Sequence, residues 1–232
     1  MYLLTETASP FALERWAAFF ANFGQFAKGF FYTLGISIGA LIVALLLGLI
    51  FGAMSSTHNK VLRGISRVYV EIFQNTPLLV QFVVVFYGIS ILTDGHVMIP
   101  ISLTAILCVG VYTGAYISEI IRTGIEAVPK GQTEAALSQG FTYADTMRII
   151  ILPQAVRTIL PPLTNQVVNL IKNTSPVANI SGADIMFTAK AWAYDTTNYV
   201  PAFAGAAFLY FIMCFPLATW ARRKEEENKK AY

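Results

Sequence analysis

Charged residues are scarce in this chain of 232 residues. They make up 12% of the sequence, roughly half the share found in soluble domains, whereas hydrophobic residues make up 56%. This composition excludes an ordinary soluble domain and points to a protein embedded in membrane lipid. The net charge of +3 is small, and we expect it to reflect anchoring at the membrane and no nucleic-acid partner.

Residues that carry out catalysis or bind metals are also few. The chain has two cysteines, Cys108 and Cys214, both inside apolar runs, and two histidines. These numbers argue against a disulfide framework or a metal site. The sequence has no H-E-x-x-H, C-x-x-C or G-x-S-x-G motif, and no G-x-x-x-x-G-K-[ST]. We therefore predict no catalytic residue, no bound cofactor and no ATP site in this chain.

Long charge-free runs are present instead, and they predict an all-α integral membrane protein. A membrane-spanning helix needs about 20 apolar residues. Four runs meet this need, at residues 30–54, 72–92, 100–121 and 201–221. A fifth candidate, residues 158–180, contains prolines and amides, so we expect it to be lined by protein or a cavity. We accordingly predict five transmembrane helices.

Basic residues lie mostly on one side of these predicted spans. Lys60 and Arg63 follow the first span, and further lysines and arginines follow the third and the last. By the positive-inside rule, the N-terminus lies outside and the C-terminus in the cytoplasm. We divide the chain into an extracellular segment (1–28), a transmembrane domain (29–222) and a charged cytoplasmic tail (223–232).

Aromatic residues recur at helical spacing near the N-terminus. They are Trp16, Phe19, Phe20, Phe23 and Phe30. This pattern predicts a short amphipathic helix in the outer membrane interface. A loosely ordered lead-in is the alternative.

A polar stretch, "EAALSQGFTYADTMRIIILPQA" (residues 134–155), separates the third and fourth predicted spans. We predict a helix over residues 130–138 that ends at a left-handed Gly140. Thr142 is expected to cap a second helix, which Pro153 stops. Connections in helical bundles usually take roughly 2–8 residues, so a polar connection of this length indicates a function.

This stretch also carries a resemblance to a known family. Glu134-Ala135-Ala136, Gly140 and Ile151-Leu152-Pro153 resemble the EAA loop of the membrane subunits of bacterial ATP-binding-cassette (ABC) importers. Three further stretches sharpen the resemblance, namely "NTPLLVQ" (75–81), "AYISEIIRTGIEAVPKGQTEAA" (115–136) and "LPQAVRTILPPLTNQVVNLIKNTS" (152–175). Together they are similar to permeases for polar amino acids of the histidine, glutamine, glutamate and arginine group. The resemblance covers residues 26–222, although Asn173 stands where many relatives have aspartate.

The resemblance implies a fold and a set of partners. The fold is that of type I ABC importer permeases, in which the EAA loop forms a coupling helix that docks on an ATPase subunit. The docking residues of this chain would be Lys130, Glu134, Ala135, Ala136 and Gly140. For Glu134, the alternative is an acid that is simply solvated. Expected partners are two ATPase subunits that hold ATP and magnesium, a second copy or a homologous permease, an extracellular solute-binding protein and membrane lipid. The expected location is the bacterial cell membrane.

Polar residues of the fourth predicted span are candidates for binding substrate. Asn165 and Asn169 share a helix face, and Gln166 is adjacent. These amides could join helices, at about 0.6–2 kcal/mol per hydrogen bond, or could bind a polar amino acid. The resemblance favours the second interpretation, because it places a solute pocket on this helix. Lys172 either balances a substrate carboxylate or extends to the interface.

Two further positions have two interpretations each. Thr76, followed by Pro77, breaks or kinks the second span, and its freed carbonyls either line the pathway or only mark the helix entry. Glu119 and Arg122, spaced i and i+3, predict an ion pair at the end of the third span. This pair is either a gate or a feature of the membrane boundary.

These observations predict the translocation subunit of an ATP-driven importer of a polar amino acid. Glutamine is the first choice and glutamate or aspartate the second, because the fourth span offers neutral amides and a lysine. A pocket for lysine or arginine would need an acid within the membrane. The alternative is an ion-coupled secondary transporter or a channel that needs no ATPase. Membrane-embedded acids would indicate it, and none lies well inside a predicted span.

Overall fold

The structure is a computed structural model that describes residue 9 and residues 11–230. In this part of the chain every regular element is a helix, which confirms the predicted all-α class. Helix α1 spans Leu13–Ala21 and α2 spans Phe23–Ser55. Helix α1 lies where the amphipathic helix was predicted, but Phe23 and Phe30 already belong to α2. Residues 1–8 and 10 of the predicted N-terminal segment lie outside the described residues. Residues 231 and 232 of the predicted tail do so as well.

The prediction of a loop after the first span is wrong, whereas the predicted break or kink at Thr76 and Pro77 is confirmed. The chain forms α3 (Lys60–Gln74) and, after a break, α4 (Leu78–Val83), a π-helical turn (Val84–Gly88) and α5 (Ile89–Leu92). The helices on the two sides of the break enclose an angle of 97°. Pro77 has no N–H and restricts the residue before it, so this position favours a break. The basic residues after the first span therefore lie on a helix.

Helix α6 (Ile101–Glu126) packs along α2 in the most extensive helix–helix contact of the described chain. Small residues permit this close approach. A Cβ atom at Gly48 would overlap Cγ2 of Ile117, and one at Gly110 would lie 2.7 Å from Cβ of Val43. Closely approaching backbones of this kind are typical of helix packing in lipid.

The polar stretch after α6 is helical for most of its length. Its elements are α7 (Lys130–Ser138), α8 (Tyr143–Asp145), a π-helical turn (Thr146–Ile151) and α9 (Leu152–Lys172). The prediction that Pro153 stops the second helix is wrong. The π-helical turn leads into α9 through helical backbone angles at Ile151. Pro153 lies in the first turn of α9, where a missing N–H costs least.

Helix α9 packs between other helices, and the elements that follow it form the C-terminal part of the chain. This part consists of a 3-10 helix (Ser175–Ile180), α10 (Ile185–Thr196) and α11 (Tyr199–Lys230). Helix α9 contacts both α6 and α11, while α4 packs against the 3-10 helix. One apolar core lies among α2, α4, α6, α9 and the 3-10 helix, and a second lies among α1, α2, α9, α10 and α11.

Three helices of the described chain are long and apolar enough to cross a membrane. They are Phe23–Ser55, Ile101–Glu126 and Tyr199–Arg223. The bent pair Lys60–Gln74 and Leu78–Leu92 would make a fourth span. Helix α9 is not among them, since its amides and prolines make it less apolar. The described chain is thus an all-helical membrane protein with three to four candidate spans.

Candidate functional site

The polar segment between α6 and α9 turns sharply at Gly140. This residue has φ of +86°, which confirms the predicted left-handed end of α7. The N–H of Gly140 donates to the carbonyl of Leu137 at 3.0 Å, and the N–H of Phe141 donates to the carbonyl of Ala136 at 3.1 Å. This pair of bonds is a Schellman motif, which satisfies carbonyls that the helix end leaves free.

Thr142 begins α8 as predicted. Its hydroxyl accepts the N–H of Asp145 at 3.2 Å and donates to the carboxylate of the same residue. The carboxylate lies in the first turn of the helix, where it interacts favourably with the helix dipole. The direction of the chain is therefore fixed by local hydrogen bonds on both sides of Gly140.

Helix α7 presents an exposed surface and packs its other side against the π-helical turn Thr146–Ile151. Lys130, Glu134 and Ala135 are exposed, while Ala136 is buried, with 3% of its surface accessible. The four residues proposed for ATPase contact on α7 thus do not share one surface. Lys130, Glu134 and Ala135 face solvent, and Ala136 packs inside the chain.

Three of the candidate substrate-binding residues share one exposed face of α9. Asn165, Asn169 and Lys172 are exposed at spacings of i, i+4 and i+7, whereas Gln166 is buried. Amides and an ammonium group are costly in contact with lipid tails. This face, which we call the polar stripe of α9, therefore requires protein or water beside it.

Thr76 lies in the break between α3 and α4 and not in the polar stripe. Its hydroxyl donates to the carbonyl of Ile72 at 2.8 Å and accepts the side-chain amide of Gln81 at 2.9 Å. The same amide nitrogen lies 3.2 Å from the carbonyls of both Phe73 and Thr76. Gln81 therefore satisfies carbonyls that the break sets free, a role that the sequence analysis missed although Gln81 is a polar residue in an apolar run.

A charged cavity of about 640 Å³ lies beside the end of α6 that leads to α7. Arg63 and Arg67 of α3 line it together with Glu119, Arg122 and Glu126 of α6. The predicted ion pair is present, since Nε of Arg122 donates to Glu119 at 3.0 Å. Nη1 of Arg122 also donates to Glu126 at 2.6 Å, so that one guanidinium group holds two carboxylates.

A second cavity, of about 540 Å³, adjoins the first at Glu126. Lys130 and Thr133 of α7 line it, as do Tyr143 and the buried Thr146. The side chain of Glu126 therefore separates the charged cavity from a crevice under α7.

One buried acid escaped the sequence analysis because it lies outside the predicted spans. Asp184 has no accessible surface, and its carboxylate accepts the N–H of Phe187 at 2.8 Å and the hydroxyl of Tyr210 at 3.1 Å. The next N–H, of Ile185, donates to the hydroxyl of Thr33 at 3.1 Å. Asp184 thus caps α10 and joins it to α2 and α11, and its place just before an apolar helix was the available signal.

Apolar helices packed around small residues, with one polar stripe and one polar helix outside the apolar spans, are features expected of a membrane transport subunit. Comparison with known proteins identifies its family. Residues 44–225 match the family described as the binding-protein-dependent transport system inner membrane component. The chain belongs to this family, within the permeases of polar amino-acid ABC importers.

Individual relatives agree with this assignment over most of the chain. A probable glutamine ABC transporter permease of Bacillus subtilis is 37% identical over 92% of this chain and 97% of its own length. A glutamate/aspartate import permease of Escherichia coli K12 is 33% identical over 82% of this chain and 85% of its own length. A chain in the crystal structure of an amino acid ABC transporter with histidines has a TM-score of 0.84 at 31% identity. That match covers 91% of this chain and 98% of the other.

The family establishes the general role of the chain. It is the non-catalytic permease of an ABC importer for polar amino acids and a multi-pass inner membrane protein. Permeases of this family bind no cofactor. Dependence on a binding protein and on ATP implies a solute-binding protein and ATPase subunits as partners.

Proposed function

We propose that this chain forms the translocation pathway for glutamine, with glutamate as the second choice, as one half of a permease dimer. The observation that carries this proposal is the polar stripe of α9, formed by Asn165, Asn169 and Lys172. Lipid is a poor environment for these groups, whereas a water-filled path or a second permease chain satisfies them. The partner chain is either identical to this one or homologous to it.

The proposed topology has five spans, with α9 and the 3-10 helix after it as the fourth. Helix α9 contacts α6 and α11, two helices that are apolar enough to span by themselves. Its 21 residues are about 31 Å long at 1.5 Å per residue, close to the thickness of the hydrocarbon core. The basic residues of α3, of residues 122–157 and of the tail support an outside N-terminus and a cytoplasmic C-terminus.

In this topology α7 lies in the cytoplasm and serves as the coupling helix. Lys130, Glu134 and Ala135 would contact the ATPase subunit, and Gly140 would set the direction of the turn. Ala136 would contribute by packing α7 onto the π-helical turn that continues into α9. An inward movement of α7 on ATP binding would then be passed to the helix that carries the polar stripe.

Substrate preference is argued from the charge of the polar stripe. Its groups are two amides and one ammonium, so the stripe itself contains no acid. Amides both donate and accept hydrogen bonds, as the side chain of glutamine does. The ammonium of Lys172 would favour a carboxylate and oppose a cationic substrate. The names of the glutamine and glutamate/aspartate relatives agree with this order.

The buried acid does not favour the ion-coupled alternative. The hydrogen bonds of Asp184 run to a helix N-terminus and to Tyr210, which gives this carboxylate a structural role. An ion-coupled transporter also needs no helix for docking an ATPase, which is the role proposed for α7 outside the apolar spans.

The proposal is tested by uptake of labelled glutamine into proteoliposomes that contain the permease, its ATPase and its binding protein. We expect ATP-dependent uptake, competition by unlabelled glutamine and glutamate, and little competition by arginine. Asn169→Asp should weaken competition by glutamate first, because it adds a negative charge beside the path. Asn179→Asp, at an exposed amide of the 3-10 helix outside the stripe, is the matched control. Strong competition by arginine in the unmutated protein would refute the substrate assignment, and uptake without the ATPase would refute the importer mechanism.

A further inference from the structure

The proposed coupling helix α7 is joined to the preceding helices of the chain through the C-terminal end of α6. Three residues, Ala127 to Pro129, join α6 to α7. The N–H of Ala127 still donates to Thr123 at 2.9 Å, and that of Gln132 donates to Pro129 at 2.9 Å. Hydrogen bonds of the two helices thus continue almost up to the junction. A displacement of α7 must therefore move or unwind the last turns of α6.

The last turns of α6 are wedged between two other helices. A Cβ atom at Gly124 would overlap Ile159 of α9, and one at Gly52 of α2 would lie 2.8 Å from Cβ of Ile121. We expect helices packed this closely to move together, because close-packed interfaces transmit strain from one helix to the other. If this end of α6 stays helical, its motion reaches both α2 and α9.

Helix ends are prone to unwinding, since their last carbonyls have no partner in the helix. Here Arg122 spans the two final turns of α6. It binds Glu119 one turn earlier through two hydrogen bonds and Glu126 one turn later through another. The three side chains are partly exposed, with 32% of the Arg122 side chain accessible.

Among the described residues, Arg122 forms an ion pair with both acids. Arg63 and Arg67 line the same cavity, but the described ion pairs of Glu119 and Glu126 within 4 Å are formed with Arg122. Glu126 in turn also lines the crevice under α7 that includes Lys130. The guanidinium group, at the charged cavity, therefore holds the carboxylate that also borders the crevice under α7.

We propose that Arg122 is a positioning residue for energy coupling. By holding Glu119 and Glu126 on one face of α6, it keeps the last two turns helical while α7 moves. The displacement then reaches α9 and α2 and is not lost by unwinding of the helix end. Arg122 contacts neither the substrate nor the ATPase in this mechanism. The inference rests on the proposed coupling role of α7.

The role is separable from stability. Partly exposed ion pairs contribute little to the folding free energy, so Arg122→Gln should change Tm by no more than about 2–3 °C. A coupling free energy between two sites, in contrast, typically corresponds to a 5–150-fold effect. A residue that only stabilised the fold would change Tm and the amount of complex, but not the stoichiometry of transport.

The test measures glutamine transported per ATP hydrolysed in proteoliposomes that contain the whole complex. For Arg122→Gln we expect this ratio to fall about fivefold or more, with ATP hydrolysis still present and less dependent on the loaded binding protein. Glu126→Gln, which leaves the pair of Arg122 with Glu119, should give a smaller fall. Arg122→Lys, which keeps the charge, should restore part of the ratio. The matched control is Arg222→Gln, at an exposed arginine of α11 whose described hydrogen bond is to a backbone carbonyl.

An unchanged ratio in Arg122→Gln, with normal transport by the unmutated complex, would overturn this inference alone. If Arg122→Gln does not assemble, Glu126→Gln decides in the same way, since an unchanged ratio overturns the inference and a reduced one supports it. An unmutated complex without ATP-dependent uptake would instead overturn the proposed function, and this inference with it.

Discussion

Single residues decide where the helices of this chain turn and which of their faces must avoid lipid. Gly140 ends α7 because its backbone is left-handed, and Gln81 stabilises the break at Thr76 by binding free carbonyls. Asn165, Asn169 and Lys172 make one face of α9 polar. Each of these effects follows from hydrogen bonding or backbone geometry at one position.

Substitutions at Gly140 should show the effect of the left-handed backbone without an added effect of steric overlap. A Cβ atom there would meet no heavy atom within 4 Å, so that the cost of a side chain comes from the φ of +86° alone. A left-handed backbone costs most L residues about 1–2 kcal/mol, β-branched residues more and asparagine less. We therefore expect Gly140→Val to abolish glutamine transport and the stimulation of ATP hydrolysis, while Gly140→Asn retains most of both.

The assay for this prediction combines transport with a measurement of membrane insertion and complex assembly. Normal transport by a correctly assembled Gly140→Val protein would show that the turn at Gly140 has no part in coupling. Loss of assembly in Gly140→Val together with normal transport by Gly140→Asn would instead assign the glycine to folding.

At the scale of elements, the main structural unit is the pair formed by α2 and α6. The two helices contact each other through glycines that meet isoleucine and valine side chains. Helices α7 and α9 are then attached to this pair, α7 through a three-residue connection and α9 through packing. The packing of α2 on α6 therefore supports both the proposed pathway and the proposed coupling helix.

We expect Gly48→Ala to destabilise the protein. Its Cβ would overlap Ile117, and overpacking of this kind typically costs about 1–3 kcal/mol. Gly35→Ala is the matched control in the same helix, because a Cβ there meets nothing within 4 Å. Ile117→Ala should reduce the cost of Gly48→Ala in the double variant, since it removes the overlapping atom.

Thermal unfolding in detergent, read as Tm for the unmutated protein and the four variants, checks this prediction. If Gly48→Ala and Gly35→Ala give the same Tm, or if the effects of Gly48→Ala and Ile117→Ala simply add, the close contact between α2 and α6 is not as described.

Local sequence signals predicted much of these elements, and non-local packing accounts for most of the differences. The helix before Gly140, the cap at Thr142 and the pair of Glu119 with Arg122 depend on neighbours in the sequence, and the structure confirms all three. Pro153 was expected to stop a helix because prolines usually do. The preceding π-helical turn and the packing of α9 against α6 and α11 let the helix continue, and a local pattern does not reveal either.

The same distinction applies to the candidate site. The shared face of Asn165 and Asn169 follows from helical periodicity, whereas the burial of Gln166 depends on how α9 is packed. Pro77 predicted a break or kink after α3, but not a bend as large as 97°, because Pro161 and Pro162 lie inside a continuous helix. Whether a proline bends a helix depends on which neighbours satisfy the free carbonyls, and at Pro77 the amide of Gln81 does so.

The whole molecule is a permease that exposes two polar surfaces in the part of the chain that the structure describes. These surfaces are the polar stripe of α9 and the exposed surface of α7. In the proposed assembly the stripe faces the pathway in a permease dimer, and α7 faces an ATPase. The central claim of this account is that Asn169 lies in the pathway, where glutamine passes.

Cysteine labelling tests that claim most directly. In a variant without Cys108 and Cys214, Asn169→Cys is treated with a small, membrane-impermeant thiol reagent in the reconstituted complex, with and without loaded binding protein and ATP. Lys130→Cys reports the cytoplasmic side, and Val156→Cys, at an exposed apolar position of α9, serves as a control. We predict that position 169 is labelled, that glutamine protects it and arginine does not, and that position 130 is labelled from the cytoplasmic side alone. Absence of labelling at position 169 while position 130 reacts, or labelling that glutamine does not change during active transport, would contradict the account.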